Sequence, residues 1–171
     1  MTDKKNLENI KKLREITGVG FSDCKLAIAE NNGDIEKSIE YLRKKGIAKA
    51  NKKMERVAAD GLVSISENKN KFSIVEVNSE TDFVAKNDDF IKFVEEISKV
   101  SLLSSGKLEN ILNSKMDNAK TVQENLISLI SKIGEKITIR RCDFLDTVNS
   151  INFSYIHTAV KKKPWKNRCV S

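Results

Sequence analysis

Near residue 57 the spacing of apolar residues switches from a helical period to an alternating one, so a fold for this chain must accommodate both. Before the switch, Leu7, Ile10 and Leu13 recur at helical spacing. Cys24, Ala27 and Ile28 do so next, then Ile35, Ile39 and Leu42. An apolar stripe of that period is buried along one helix face. After the switch, Gly61-Leu62-Val63-Ser64-Ile65-Ser66 and Lys71-Phe72-Ser73-Ile74-Val75-Glu76-Val77 read as strands. Glu67-Asn68-Lys69-Asn70 between them is turn chemistry, which gives a hairpin.

Punctuation divides the first part into three short helices over residues 3–46. Thr2 or Asp3 caps the first, and Thr17-Gly18 stops it. Ser22 caps the second and Asn32-Gly33 ends it. Asp34 caps the third, with Gly46 as its stop. Residues 47–56 are helical in propensity and strongly basic, and read as a connector. Helical spacing returns from Asp88 to about Leu103, and again from about Ala119 to Ser131, with Gly134 as a stop. Ile137-Thr138-Ile139-Arg140-Arg141-Cys142 alternates as a strand, and Asn152 to His157 reads as another. Residues 57–157 therefore make an α+β unit, a small antiparallel sheet packed with two helices. From Thr158 the pattern fails. Pro164 and a run of lysines argue against a central strand there.

Composition narrows the function. The 171 residues are 39% hydrophobic and 32% charged, a range suited to one ordinary domain or two small ones. No stretch approaches the roughly 20 apolar residues of a membrane span, and Met1 to Asn6 has no apolar signal core. A soluble cytoplasmic protein is expected. The net charge of +7 raises the question of nucleic acid. Residues 1–56 carry a net +5 and residues 161–171 another +5, whereas residues 57–160 carry −3. The middle of the chain has no electrostatic excess for phosphates, and direct nucleic-acid binding is not expected. A basic RNA- or ribosome-binding protein using residues 43–56 and 161–168 remains the rival reading. Trp165 lies within that tail, which otherwise reads as a disordered end.

Cys24, Cys142 and Cys169 are odd in number and far apart, and His157 is the sole histidine. Neither a zinc site nor a disulfide framework is indicated. Cys24 reads as a small core residue. No catalytic residue, metal or cofactor is assigned, and the chain is not expected to be an enzyme.

The most unusual segment is Asn78-Ser79-Glu80-Thr81-Asp82-Phe83-Val84-Ala85-Lys86-Asn87, between a strand and a helix. It sets an acid, an aromatic and a valine in an otherwise polar loop. Two readings stand: Phe83 folds back onto the core and Asp82 caps a turn, or Phe83 is an apolar wedge flanked by charge that enters a partner. Buried aromatic anchors are the usual interface hot spots, with truncation costing about 2 kcal/mol or more.

Several blocks, in order, resemble the elongation factor Ts family, the nucleotide-exchange factors of the translational GTPase elongation factor Tu. They are Leu13 to Lys25, Asn32-Gly33-Asp34-Ile35-Glu36, Val57-Ala58-Ala59-Asp60-Gly61, Glu76-Val77-Asn78 with Thr81 to Asn87, and Lys132 to Arg141. The resemblance implies a ubiquitin-associated-like three-helix bundle at residues 1–46, a basic connector at 47–56 and a dimerization-type core half-domain at 57–157. Residues 158–171 are left as a divergent basic tail. It implies that elongation factor Tu is the partner and that GDP release follows when its Mg²⁺ and phosphate loop are disturbed. By that likeness Thr81, Asp82, Phe83 and Val84 intrude on the partner, while Lys12, Arg14 and Thr17 touch it from the bundle. Family members continue further, and nothing from Thr158 resembles the Gly-rich, Val-rich strand that follows their Tyr-x-His segment. A C-terminal truncation or frame change is expected, with an open sheet edge. Self-association into a homodimer stays open, as does a remnant that binds the GTPase without efficient exchange.

Overall fold

The computed structural model describes residues 3–68, 70–147, 153–155 and 167–170. Three apolar stripes meet first. Helices α1 (Asp3–Thr17), α2 (Phe21–Glu30) and α3 (Ile35–Lys53) close on Ile10, Leu13, Cys24, Ala27, Ile28 and Leu42. Leu7, expected on the inner stripe, is 45% exposed. Asp34 caps α3 as expected, accepting from the Lys37 N–H at 3.0 Å. The second helix begins at Phe21, and its N-cap position is Gly20, without a side-chain cap. Of the residues expected to cap α1, Thr2 lies outside the described residues.

Helix α3 does not stop at Gly46. It runs on through the segment expected to be a connector, as far as Lys53. The reason is packing. A Cβ on Gly46 would stand 2.6 Å from Ser131 Oγ and 3.7 Å from Ile127 Cγ2. Both neighbours belong to helix α7 (Val122–Ile133). Glycine is used here for close approach of two helices, which offsets its poor helix propensity of about 1 kcal/mol. Beyond it, Ala50 is buried in the larger core.

That core lies under a sheet. Strands β1 (Asp60–Asn68), β2 (Lys71–Ser79) and β3 (Ile137–Asp146) are antiparallel neighbours in the order β3-β2-β1. The β1–β2 pairing extends to Asn68↔Lys71, so the hairpin is tighter than the four-residue turn expected. The β2–β3 register shifts between Glu76 and Val77. Helix α5 (Asp88–Leu103) crosses β1 and β2, and α7 packs on α3 and β3. Leu62, Val75, Val77, Phe90, Val94, Ile97, Leu126 and Ile137 fill the space between. One stretch of this interface is polar and fully satisfied. Ser64 donates to Ser98 Oγ at 3.0 Å, Ser66 shares a bond with the same hydroxyl at 2.8 Å, and Ser73 donates to the Ser98 carbonyl at 2.9 Å.

A short helix, α6 (Leu108–Asn113), precedes α7 and was not anticipated. Helix α7 opens with a capping box. Thr121 Oγ1 accepts from the Glu124 N–H at 3.1 Å, and Glu124 accepts from the Thr121 N–H at 2.9 Å. It closes at Gly134, whose φ of 87° is the left-handed C-cap expected there.

The tail departs from expectation. The backbone of β4 (Asn167–Val170) pairs antiparallel with β1, from Val63↔Val170 to Ser66↔Asn167. It covers the edge of β1, whereas an open sheet edge, on no particular strand, was expected. Unpaired edge N–H and C=O groups accept any extended segment that reaches them, and Pro164 precedes the paired residues. Conversely, residues 153–155 are not a strand, and Phe153 and Tyr155 are 92% and 80% exposed. The rest of the strand expected over Asn152 to His157 lies outside the described residues, as do residues 158–166. Among the described residues no helix is long and apolar enough to cross a membrane.

Candidate partner-binding site

Strand β2 ends with Ser79 buried, and the chain must turn sharply to start α5. The Ser79 hydroxyl donates to the Thr81 carbonyl at 3.0 Å. A single helical turn, α4 (Asp82–Ala85), follows. Its side chains divide sharply. Val84 and Ala85 are 7% and 3% exposed and belong to the main core. Phe83 is 79% exposed. The ring is thus presented outward, and the reading in which it folds back onto the core is excluded. Asp82 pairs with Lys86 at 2.7 Å. That bonded ammonium holds the Asp82 carboxyl below its ordinary range. Asn87 then caps α5, accepting from the N–H groups of Asp89 at 2.9 Å and Phe90 at 3.3 Å.

The turn is tied from its N-terminal side. Both Glu135 oxygens are engaged by Thr81, from its N–H at 3.0 Å and its hydroxyl at 2.8 Å. Glu80 accepts from the Lys136 N–H and pairs with Arg56 at 3.3 Å. The Lys136 main-chain bond is the chief cause that holds the Glu80 carboxyl below its usual range, against a smaller opposing effect of burial. Lys136 Nζ donates to the carbonyls of Met54 and Arg56, each at 2.7 Å, and Lys53 donates to the Gly134 carbonyl. The loop 134–136 therefore gathers the end of α3 and the approach to Phe83. None of Arg56, Glu80, Glu135 and Lys136 was assigned a role from the sequence. The available signal was the pair Glu135-Lys136 placed directly after a helix-stopping glycine.

On the bundle, Lys12 and Arg14 are exposed. Thr17 is half-buried, and its hydroxyl is committed internally. It donates to the Leu13 carbonyl at 2.7 Å and accepts from the Val19 N–H at 3.4 Å. Thr17 also lines a cleft of about 230 Å³ between bundle and α7, walled by Ile16, Ile39, Ile47 and Ile127. Lys132 links the two groups of residues. Its stem lies 3.4 Å from where a Gly18 Cβ would be, and its ammonium pairs with Asp89 at 2.7 Å, one turn after Phe83's helix. Lys132 thus connects the α1–α2 turn to the first turn of α5.

Much of the positive charge of α3 and of the segment just after it is neutralised locally. Asp23 pairs with Lys45 at 3.0 Å and Lys49 at 2.7 Å, Glu40 with Arg43 at 2.9 Å, and Glu80 with Arg56. The Lys49 bond is the largest cause of a lowered Asp23 carboxyl pKa, with burial opposing it. A nucleic-acid surface works through cations available to release phosphate counterions, so this arrangement weighs against that reading. Cys24 is fully buried, and desolvation pushes its thiol pKa up, in keeping with a core residue.

Comparison with known proteins finds relatives for this chain. A family model described as "Elongation factor TS" matches residues 80–164, which include the Phe83 turn, Glu135 and Lys136. The chain is 48% identical over 153 residues to an elongation factor Ts of Clostridium botulinum (strain Eklund 17B / Type B), covering 88% of this chain and 50% of that protein. It is 47% identical over 151 residues to the Brucella anthropi elongation factor Ts, covering 88% and 49%. Against the Methylorubrum populi elongation factor Ts it is 47% identical over 154 residues, covering 90% and 50%. The chain spans about half the length of the curated relatives it matches. With the expected fold, the expected blocks in order and near-half identity over most of its length, this chain belongs to the elongation factor Ts family.

Proposed function

We propose that this chain is a cytoplasmic translation factor that binds elongation factor Tu carrying GDP and speeds release of the nucleotide. The observation that carries the reading is Phe83, displayed on a one-turn helix whose neighbours Val84 and Ala85 anchor it in the core. A GTPase grips its nucleotide through backbone N–H groups of a phosphate loop and through Mg²⁺ on the phosphates. Mg²⁺ requires near-octahedral coordination at about 2.0–2.1 Å, so small shifts of its ligands destabilise it. Phe83 wedges into the partner's GTPase domain with Asp82 beside it, whereas Val84, expected to intrude as well, stays in the chain's own core and Thr81 is held by Glu135. Burial of the ring contributes roughly 1.5–3 kcal/mol. The strain displaces Mg²⁺ and the phosphate loop, and GDP leaves for GTP to enter.

Linkage makes the effect mutual: if the factor weakens nucleotide binding, nucleotide weakens factor binding by the same ratio. A thousandfold loss of GDP affinity corresponds to about 4 kcal/mol, more than one ring supplies. Lys12 and Arg14, exposed on the bundle, add contacts that favour the nucleotide-free partner. The chain carries out no covalent chemistry and uses no cofactor of its own. The outer face of the sheet, with Ile74 and Leu145 43% and 58% exposed, is the surface through which two copies would pair as a homodimer.

The test is release of a fluorescent GDP from elongation factor Tu, followed with and without excess unlabelled nucleotide and this chain. Acceleration that saturates with chain concentration supports exchange. Binding without acceleration supports the alternative of a grip without exchange. Absence of both refutes the partner.

A further inference from the structure

A four-residue helix cannot hold its own shape, because nucleation costs more than one turn of hydrogen bonds returns. The internal bonds of α4 are few: Ala85 N–H to Thr81 at 3.4 Å, Lys86 N–H to Phe83 at 3.2 Å and Asn87 N–H to Val84 at 2.9 Å. Thr81 sits at its N-cap position, where a threonine hydroxyl would ordinarily accept from the first turn. Here no side-chain cap bond forms. The hydroxyl donates instead to Glu135, and so does the Thr81 N–H, the two bonds sharing one carboxylate from 54 residues away. Bonds to a carboxylate are about twice as strong as neutral ones, and two convergent bonds fix orientation as well as distance.

We infer that Glu135 is the positioning residue for Phe83. Its carboxylate holds Thr81, at the N-cap position, by both the N–H and the hydroxyl, and so sets the direction in which α4 leaves β2 and where the exposed ring points. Glu80, bonded to the Lys136 N–H, fastens the adjacent residue to the same loop. Lys53 and Lys136 fasten that loop to the end of α3. Glu135 touches neither nucleotide nor Mg²⁺ in this scheme and acts through Thr81. The inference rests on the exchange reading for its functional consequence, and on geometry alone for the clamp.

Two measurements test it on the full chain. The first is amide hydrogen exchange in Glu135→Ala and Glu135→Gln. The amides of Ala85, Lys86 and Asn87 are expected to exchange at least about tenfold faster in Glu135→Ala, and less so in Glu135→Gln, which keeps an acceptor oxygen. Val75 and Val77 in β2 keep wild-type protection. Unchanged protection at residues 85–87 in a folded Glu135→Ala overturns the clamp whatever the exchange assay shows. The second is fluorescent-GDP release from elongation factor Tu. Glu135→Ala is expected to lower the maximal release rate roughly tenfold, with less change in the half-saturating concentration, since misaiming a fixed group costs rate. In a Phe83→Ala background the same substitution should do nothing further. Effects that add in the double variant show that Glu135 acts independently of the ring and overturn the inference. If Phe83→Ala itself releases GDP at the wild-type rate, the exchange reading fails, and the amide measurement still decides the clamp.

Discussion

Replacing Phe83 by alanine separates a ring that works from a ring that packs. At 79% exposure the side chain hides about a fifth of its surface. Full burial of such a side chain contributes roughly 1.5–3 kcal/mol, so its truncation here should cost about 0.5 kcal/mol of stability or less. Phe90 provides the internal control. It stands seven residues on, is 0% exposed and lies in the main core. Phe90→Ala should cost about 3–5 kcal/mol through lost transfer energy and the cavity left behind. Urea denaturation of both variants gives the stability pair. GDP release then supplies the functional half, with Phe83→Ala losing most of the acceleration. Two results would refute the reasoning. A stability loss near that of Phe90→Ala would mean that the ring is interior in solution. Wild-type release by a folded Phe83→Ala would remove the ring from the exchange step.

Three further outcomes are expected. Gly46→Leu should destabilise the chain by about 1–3 kcal/mol through overpacking against α7. The milder effect of Gly46→Ala should fade in a Ser131→Ala background, which removes the atom 2.6 Å away; chemical denaturation of the four chains checks this. Glu80 has a carboxyl pKa depressed from 4.5 on folding, so its contribution is full above that value and is lost as pH falls through the folded one. The difference in Tm between wild type and Glu80→Gln should therefore be present at neutral pH and shrink in acid, and a pH-independent difference would contradict the assignment. Arg14→Ala should weaken association with elongation factor Tu in a binding titration while its melting curve stays that of wild type, because Arg14 is an exposed helix residue.

What could be read from the sequence was what depends on near neighbours. Asp34 caps α3 and Gly134 ends α7 because both act within a few residues of themselves. The stripe Cys24, Ala27 and Ile28 is buried because the helical period requires it. The alternation of β1, β2 and β3 was equally visible. The outward ring of Phe83 was legible as one of two alternatives, and the resemblance to a family favoured the one observed. The misses share a cause. Gly46 looks like a stop until Ser131 is known to lie across from it, 85 positions away in the chain. Asn167–Val170 looks like a tail until an unpaired strand edge is placed beside it. Glu135 looks like a solvated charge until the Thr81 hydroxyl is found against it. In each case the deciding partner is remote in sequence, and local propensity points elsewhere.

Helix α3 carries a mechanical implication. Its 19 residues span about 28 Å at 1.5 Å per residue, with Leu42 in the bundle core and Ala50 in the main core. The bundle is therefore not a bead on a string: one continuous rod is embedded in both units. A protein that grasps its target at two places normally loses linker entropy when the second contact forms. Here the spacing between Arg14 and Phe83 is set by the fold, so under the proposed function a target whose own two sites open to the matching separation would be selected by length, as a gauge selects a gap.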